Sequence, residues 1–266
     1  GGDGVWEGLR LYEGKIFKLE EHLNRLRGSA QALAFTDIPS NEELVNELRK
    51  TLEANNMHDG VHIRLTLTRG VKQTSGMDPR LNQSGNTLIV LAEFKSPVYN
   101  TDGLTLATSS IRRFSPDTMD PKIHHCNLIQ SIMAKVEATA AGADDALMLD
   151  WRGRLAESTG ANIFLVIDGV LHTPTPDCFL DGITRQCVIG LAKNRGIEVI
   201  ERVIMPEELE QADEVFLTGT AAEVTPVGQI GDLHFQPGAI CRLMMDDFTA
   251  LTQAGAEPEK QAGAAE

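Results

Sequence analysis

The chain has 266 residues, 42% of them hydrophobic and 23% charged, with 24 Lys plus Arg against 38 Asp plus Glu and a formal net charge of −14. At roughly 150 residues per domain, that length suits one large or two medium domains, enough to bury a substantial core. The acidic balance argues against nucleic acid or an anionic membrane as the main partner, since both demand a basic face.

No apolar run reaches the ~20 residues of a membrane span, and no basic and then apolar opening marks the chain for secretion. Cys126, Cys178, Cys187 and Cys241 form no CxxC pair. They suit no zinc site and read as reduced thiols of a cytoplasmic protein. The opening Gly1-Gly2-Asp3-Gly4 reads as the middle of a domain, so a processed or incomplete N-terminus is expected.

In chain order, residues 5–12 read as a strand that turns at Glu13-Gly14 into a returning strand over 15–19. Leu23, Leu26, Ala30 and Leu33 recur at helical spacing, which predicts a helix over 20–33. A second helix is predicted over 40–54, opened by a capping box of Ser40 and Glu43. Residues 61–69 alternate strictly, as in a half-buried strand. A long polar loop over 70–85 and a strand over 87–93 follow. The segment 96–103 is a candidate linker between a small domain (1–95) and a large one (104–252).

In the second part, strands are predicted over 104–109, 146–150, 162–166, 170–172, 198–203 and 214–217. Helices are predicted over 127–141, 185–195, 206–212 and 239–251, the first with Leu128, Ile132, Ala134, Val136 and Ala138 facing inward. The Ala/Gly/Glu-rich stretch 253–266 reads as a disordered tail.

Several polar positions carry chemistry. Lys122 lies between a strand and a helix, before Ile123-His124-His125-Cys126-Asn127. A solvated surface charge is one reading; a buried amine of lowered pKa, able to form a Schiff base with a carbonyl, is the other. Glu157 precedes an apolar strand and is either a turn carboxylate or one held for a ring nitrogen or a metal. Gly182-Ile183-Thr184-Arg185 opens a predicted helix, whose free N–H groups suit a phosphate; Thr184 as an ordinary N-cap fits equally. The small residues of Thr218-Gly219-Thr220-Ala221-Ala222 permit close backbone approach to an anion. The seven histidines make no metal site, and no metal is expected. There is no GxSxG, no GxxxxGK[ST] and no GxGxxG.

Taken together, these blocks resemble the class IV (fold type IV) pyridoxal-phosphate aminotransferases from Gly1 to about Leu251. The resemblance rests on Gly2-Asp3-Gly4-Val5-Trp6-Glu7-Gly8, on Glu21-His22-Leu23-Asn24-Arg25-Leu26, and on Lys122 followed by Asn127-Leu128 and Ala134-Lys135-Val136-Glu137-Ala138. It continues through Glu157-Ser158-Thr159, Asn162-Ile163-Phe164, Gly182-Ile183-Thr184-Arg185 and the run from Thr218 to Val227. It implies an α/β (α+β) two-domain fold with pyridoxal 5'-phosphate in the cleft between the domains.

The resemblance further implies that Lys122 is the catalytic Schiff-base lysine and that Glu157 keeps the pyridinium nitrogen protonated. Arg25, Ile183, Thr184 and Thr220 would bind the phosphate. Thr220 and Ala221 would receive the substrate carboxylate, and Trp6 would line the side pocket. The implied activity is transamination between a branched-chain amino acid and 2-oxoglutarate, by a homodimer. D-amino acid transaminase and aminodeoxychorismate lyase are the alternatives within the family, suggested by the run from His62 to Gly70. Arg64 and Arg69 lie five apart, so at most one faces the site. A catalytically silent cofactor-binding protein is the non-enzyme alternative, prompted by the early start of the first block.

Overall fold

The computed structural model describes residues 2–97 and 103–254. Two sheets organise this mixed α/β molecule. The first is four-stranded and antiparallel, in the order β2-β1-β3-β4. Its β1 (Gly4–Tyr12) turns at Glu13 and Gly14, which sit at φ 46° and 83°. The returning β2 (Lys15–Ile16) is only two residues long, because α1 (Leu19–Ala32) takes over at Leu19. Helix α2 (Asn41–Ala54) starts with the expected capping box: the Ser40 hydroxyl accepts from the Glu43 N–H, and the Glu43 carboxylate accepts from the Ser40 N–H.

In β3 (Val61–Thr68) the residues Val61, Ile63, Leu65 and Leu67 are fully buried, as the alternation requires. They pack with Leu23 and Leu26 of α1 and Leu44 and Leu48 of α2, each such burial contributing about 1.5–3 kcal/mol. Strand β4 (Thr87–Phe94) completes the sheet, and the 70–85 loop before it contains one short 3-10 turn, Pro79–Leu81.

The second sheet takes β5 (Leu104–Arg112), β6 (Asp145–Leu149), β7 (Leu155–Ser158), β8 (Asn162–Ile167), β9 (Val170–Pro174), β10 (Val199–Arg202), β11 (Glu214–Gly219), β12 (Glu223–Ile230) and β13 (Leu233–His234). Its order is β10-β9-β8-β11-β12-β5-β6-β7, with β13 on β12. A single pairing of β7 with β8, Glu157 opposite Asn162, closes six of these strands into a ring. Leu106, Leu147, Ile163, Leu165 and Leu217 belong to one buried cluster of this sheet. Helices α4 (Ile183–Asn194) and α5 (Ala239–Ala254) cover Phe164 and Phe216, whose rings stack at 5.1 Å.

Three sequence expectations change. Strands β7 and β12 lie where no strand was expected, because both are short or interrupted by small and polar residues. The remaining helix, α3 (Ile129–Ala140), does not turn its bulky stripe inward. Ala134 and Ala138 are buried, while Ile132 and Val136 are 55% and 57% exposed. Small residues let α3 lie close on β5 and β6, which places the larger ones on the opposite face. Helix α5 also extends to Ala254, past the expected boundary. Most of the expected linker (98–102) and of the expected tail (255–266) lies outside the described residues.

Candidate functional site

The site lies where β1 and α1 of the first sheet meet the β7–β8 seam, the β11–β12 turn and the start of α4. A cavity of about 140 Å³ there is lined by Trp6, Arg25, Glu157, Ile183, Thr184, Thr220 and Ala221. These are seven of the eight positions singled out from the sequence. A larger cleft of about 870 Å³ adjoins it and shares Trp6, His124, Glu157, Gly160 and Leu180.

One end of the small cavity is built for an anion. Arg25 is held by Glu7, on the apolar face of β1: Nε donates to Oε1 at 2.8 Å and Nη2 to Oε2 at 2.7 Å. The third guanidinium nitrogen, Nη1, is buried without a hydrogen-bond partner. Helix α4 adds its N-terminus. Gly182 is the N-cap and no side chain caps it, so the first N–H groups have no intrahelical acceptor. Thr184 lies inside the first turn, buried, and does not cap. A Cβ at Gly182 would stand 2.3 Å from Asn162 Oδ1, which explains a glycine here. The buried Thr218 Oγ1, also on the cavity, has no partner either. A cation with an unspent nitrogen, a helix terminus and an unspent buried hydroxyl around one cavity fit a phosphate.

Glu157 lines the same cavity, beside Asn162, which also abuts Gly182 at the start of α4. Its Oε1 is 3.0 Å from Arg113 Nη2, and its Oε2 accepts from Asn162 Nδ2 at 3.2 Å. Burial pushes its pKa up to about 7, against the opposing pull of Arg113. Such a carboxyl fits a protonated ring nitrogen, whose positive charge would favour the ionised form. The phosphate and ring-nitrogen positions therefore fit pyridoxal phosphate.

The amine position does not. Lys122 is exposed and lines neither cavity; its backbone N–H donates to Asp120 Oδ1 at 2.9 Å. The inward residue is His124, which lines both cavities. The reason is a strap between the 122–127 segment and the first sheet. The His124 N–H donates to Ser29 Oγ at 3.0 Å, the Trp6 N–H to the His124 carbonyl at 3.0 Å, and the Cys126 N–H to the Gly4 carbonyl at 2.8 Å. Ile123 packs on the first core. His124 Nδ1 lies 3.2 Å from Glu7 Oε1, and its ring lies 4.3 Å from that of Trp6. Burial lowers the His124 pKa despite Glu7, so the ring is neutral near pH 7.

Glu7 thus gathers Arg25, His22 and His124. Burial opposes its ionisation, but the hydrogen bonds from Arg25 and the two histidines outweigh it and hold the carboxyl well below the usual range. Sequence reading missed this hub. Its signal was there: Glu7 is in phase with the buried Val5, Leu9 and Leu11 of β1, and a carboxylate on an apolar face needs partners.

Of the two arginines of the first sheet, Arg64 lies over the Trp6 ring at 3.9 Å, while Arg69 pairs with Asp3 at 2.7 Å. Among the described residues, Asp150, Asp177 and Cys178 bring ligand atoms within 4.8 Å of one another. Asp150 Oδ1 there accepts from the Arg152 and Arg154 N–H groups, so it serves its own turn. No helix among the described residues is long and apolar enough to cross a membrane.

The family model for class IV amino-transferases matches residues 4–230. The chain is 47% identical over 262 residues to branched-chain-amino-acid aminotransferase-like protein 2 of Arabidopsis thaliana, covering 97% of this chain and 47% of the relative. It thus spans about half the length of that curated relative. It is 45% identical to a putative branched-chain-amino-acid aminotransferase of Methanocaldococcus jannaschii, with 93% and 86% covered. Among solved structures, the branched-chain amino acid aminotransferase of Thermobaculum terrenum in its pyridoxal-phosphate form superposes with a TM-score of 0.87 at 31% identity, covering 95% of this chain and 86% of that one.

Proposed function

The chain belongs to the class IV aminotransferase family, and from that premise we propose that its cleft takes pyridoxal phosphate together with a branched-chain amino acid and its 2-oxo acid, 2-oxoglutarate being the other acid of the pair. The observation that carries the reading is the convergence of unspent donors, Arg25 Nη1 and Thr218 Oγ1, with the uncapped α4 terminus on a cavity that Glu157 also walls. When bound, the cofactor supplies an aldehyde and an electron-accepting ring.

The chain's own residues do the rest. Arg25, the Ile183 and Thr184 N–H groups and Thr220 hold the phosphate. Glu157 holds the proton of the ring nitrogen. The Thr220 and Ala221 backbone receives the substrate carboxylate, and Trp6, fixed by Arg64, shapes the side-chain pocket.

A second reading, a protein that holds the cofactor without turnover, is favoured by the exposed Lys122 and the inward His124. We also propose that the chain divides into two domains, one per sheet. A homodimer is the third part of the reading. Ile129, Ile132, Met133 and Val136 of α3 are 45–57% exposed, an apolar stripe that a second copy would cover.

The test follows conversion of bound pyridoxal phosphate to pyridoxamine phosphate on adding L-leucine, with D-alanine in a parallel sample. Conversion by L-leucine alone supports branched-chain transamination. Conversion by D-alanine alone moves the substrate to the D-amino acid branch. Saturable binding without conversion selects the cofactor-holding reading. No binding by folded protein overturns both readings. Analytical ultracentrifugation tests the dimer.

A further inference from the structure

We infer that this cleft holds pyridoxal or pyridoxamine phosphate without a covalent bond to any lysine, His124 occupying the place from which an amine would reach the cofactor's aldehyde. The inference rests on the cofactor reading above and goes beyond it.

Among the described residues, no lysine lines the cavity that Arg25, the start of α4 and Glu157 share. The adjoining cleft has one, Lys135. Its ammonium donates to the Asp144 carbonyl and lies 3.6 Å from Asp145 Oδ1, so it is already placed as a partner of the loop before β6. Lys122, the nearest lysine in sequence to the inward segment, is exposed. Bringing it inward would break the strap that joins His124 to Ser29 and Trp6 and would pull Ile123 out of the first core.

His124 is not loosely placed. Its Nδ1 is spent on Glu7 and its ring lies against that of Trp6, tilted by 42°, so Nε2 is the nitrogen left for a ligand. An imidazole forms no stable imine with an aldehyde, because its nitrogens lack the two hydrogens that condensation with a carbonyl removes as water. It can accept or deliver a proton. The cleft therefore keeps the means to bind the cofactor's phosphate and ring and to move a proton beside it, and lacks the means to tether it.

The test is borohydride reduction of the protein saturated with pyridoxal phosphate, followed by peptide mapping, with pyridoxamine phosphate titrated separately. Wild-type protein is expected to bind pyridoxamine phosphate saturably and to carry no stoichiometric reduced adduct on Lys122 or Lys135. In Lys122→Ala, binding of both cofactor forms is expected to stay within about threefold of wild type. His124→Lys is expected to gain a stoichiometric reduced adduct at position 124; should that variant not fold, the wild-type map decides alone. A stoichiometric adduct on Lys122 or Lys135 in the wild type, lost in the corresponding alanine variant, overturns the inference while leaving the cofactor reading intact. Absence of saturable binding to either cofactor form overturns both.

Discussion

Two groups of residues in the cleft differ in how their chemistry is supplied: those that suit an anion and the one that faces inward beside them. The anion-binding donors come from three separate elements, α1, α4 and β11, and two of them, Arg25 Nη1 and Thr218 Oγ1, are buried and unspent. Beside it, on the same Glu7 carboxylate that fixes Arg25, a single strapped segment supplies one neutral imidazole whose other nitrogen is already bound. The first group is organised for a ligand that must be held. The second lacks the nucleophile that would bond to it. A binding site and a reactive group can thus part company within one family fold, since they rest on different elements.

The largest expected effect breaks the anion end. Arg25→Ala leaves the buried Glu7 carboxylate with histidine partners only, which should cost about 3 kcal/mol or more of stability in urea unfolding. Pyridoxamine phosphate affinity should fall by more than about tenfold in calorimetric titration.

Glu157 comes next. Its folded pKa of about 7 lies above the ordinary 4.5. The neutral carboxyl is the form the fold prefers, so its contribution is full below pH about 4.5 and is lost as pH rises through 7. Stability should therefore fall by at most about 3 kcal/mol across that window. Glu157→Gln should flatten the curve in unfolding measured from pH 4.5 to 8, and bound cofactor should reverse its direction in the wild type.

Gly182→Ala sharpens the comparison at smaller cost. The new Cβ would displace Asn162, which donates to Glu157 and to the Leu180 carbonyl. A loss of about 1–3 kcal/mol is expected, with weaker pyridoxamine phosphate binding as the readout. Lys122→Ala should do least, within about 0.5 kcal/mol of wild type in thermal unfolding. A large effect would mean that this lysine does more than sit in solvent.

The same contrast governs what the sequence reveals. The capping box at Ser40, the strict alternation of 61–68 and the stripe of α1 are local patterns, and local patterns read directly from residues. The anion end was legible because glycine, threonine and arginine blocks keep their order along the chain. The strap was not legible. Whether Lys122 or His124 turns inward depends on hydrogen bonds to Ser29, Trp6 and Gly4, more than ninety residues away in sequence. The exposed stripe of α3 was misread for a related reason: apolar spacing marks a buried face, but not whether the same chain or another copy buries it.

The most direct measurement is a crystal structure of the chain grown with pyridoxal phosphate. The phosphate is expected on Arg25, the α4 terminus and the β11–β12 turn, the ring nitrogen at Glu157, and His124 beside the aldehyde with no bond from any lysine. Continuous density from Lys122 Nζ to the cofactor, with the strap to β1 opened, would contradict it.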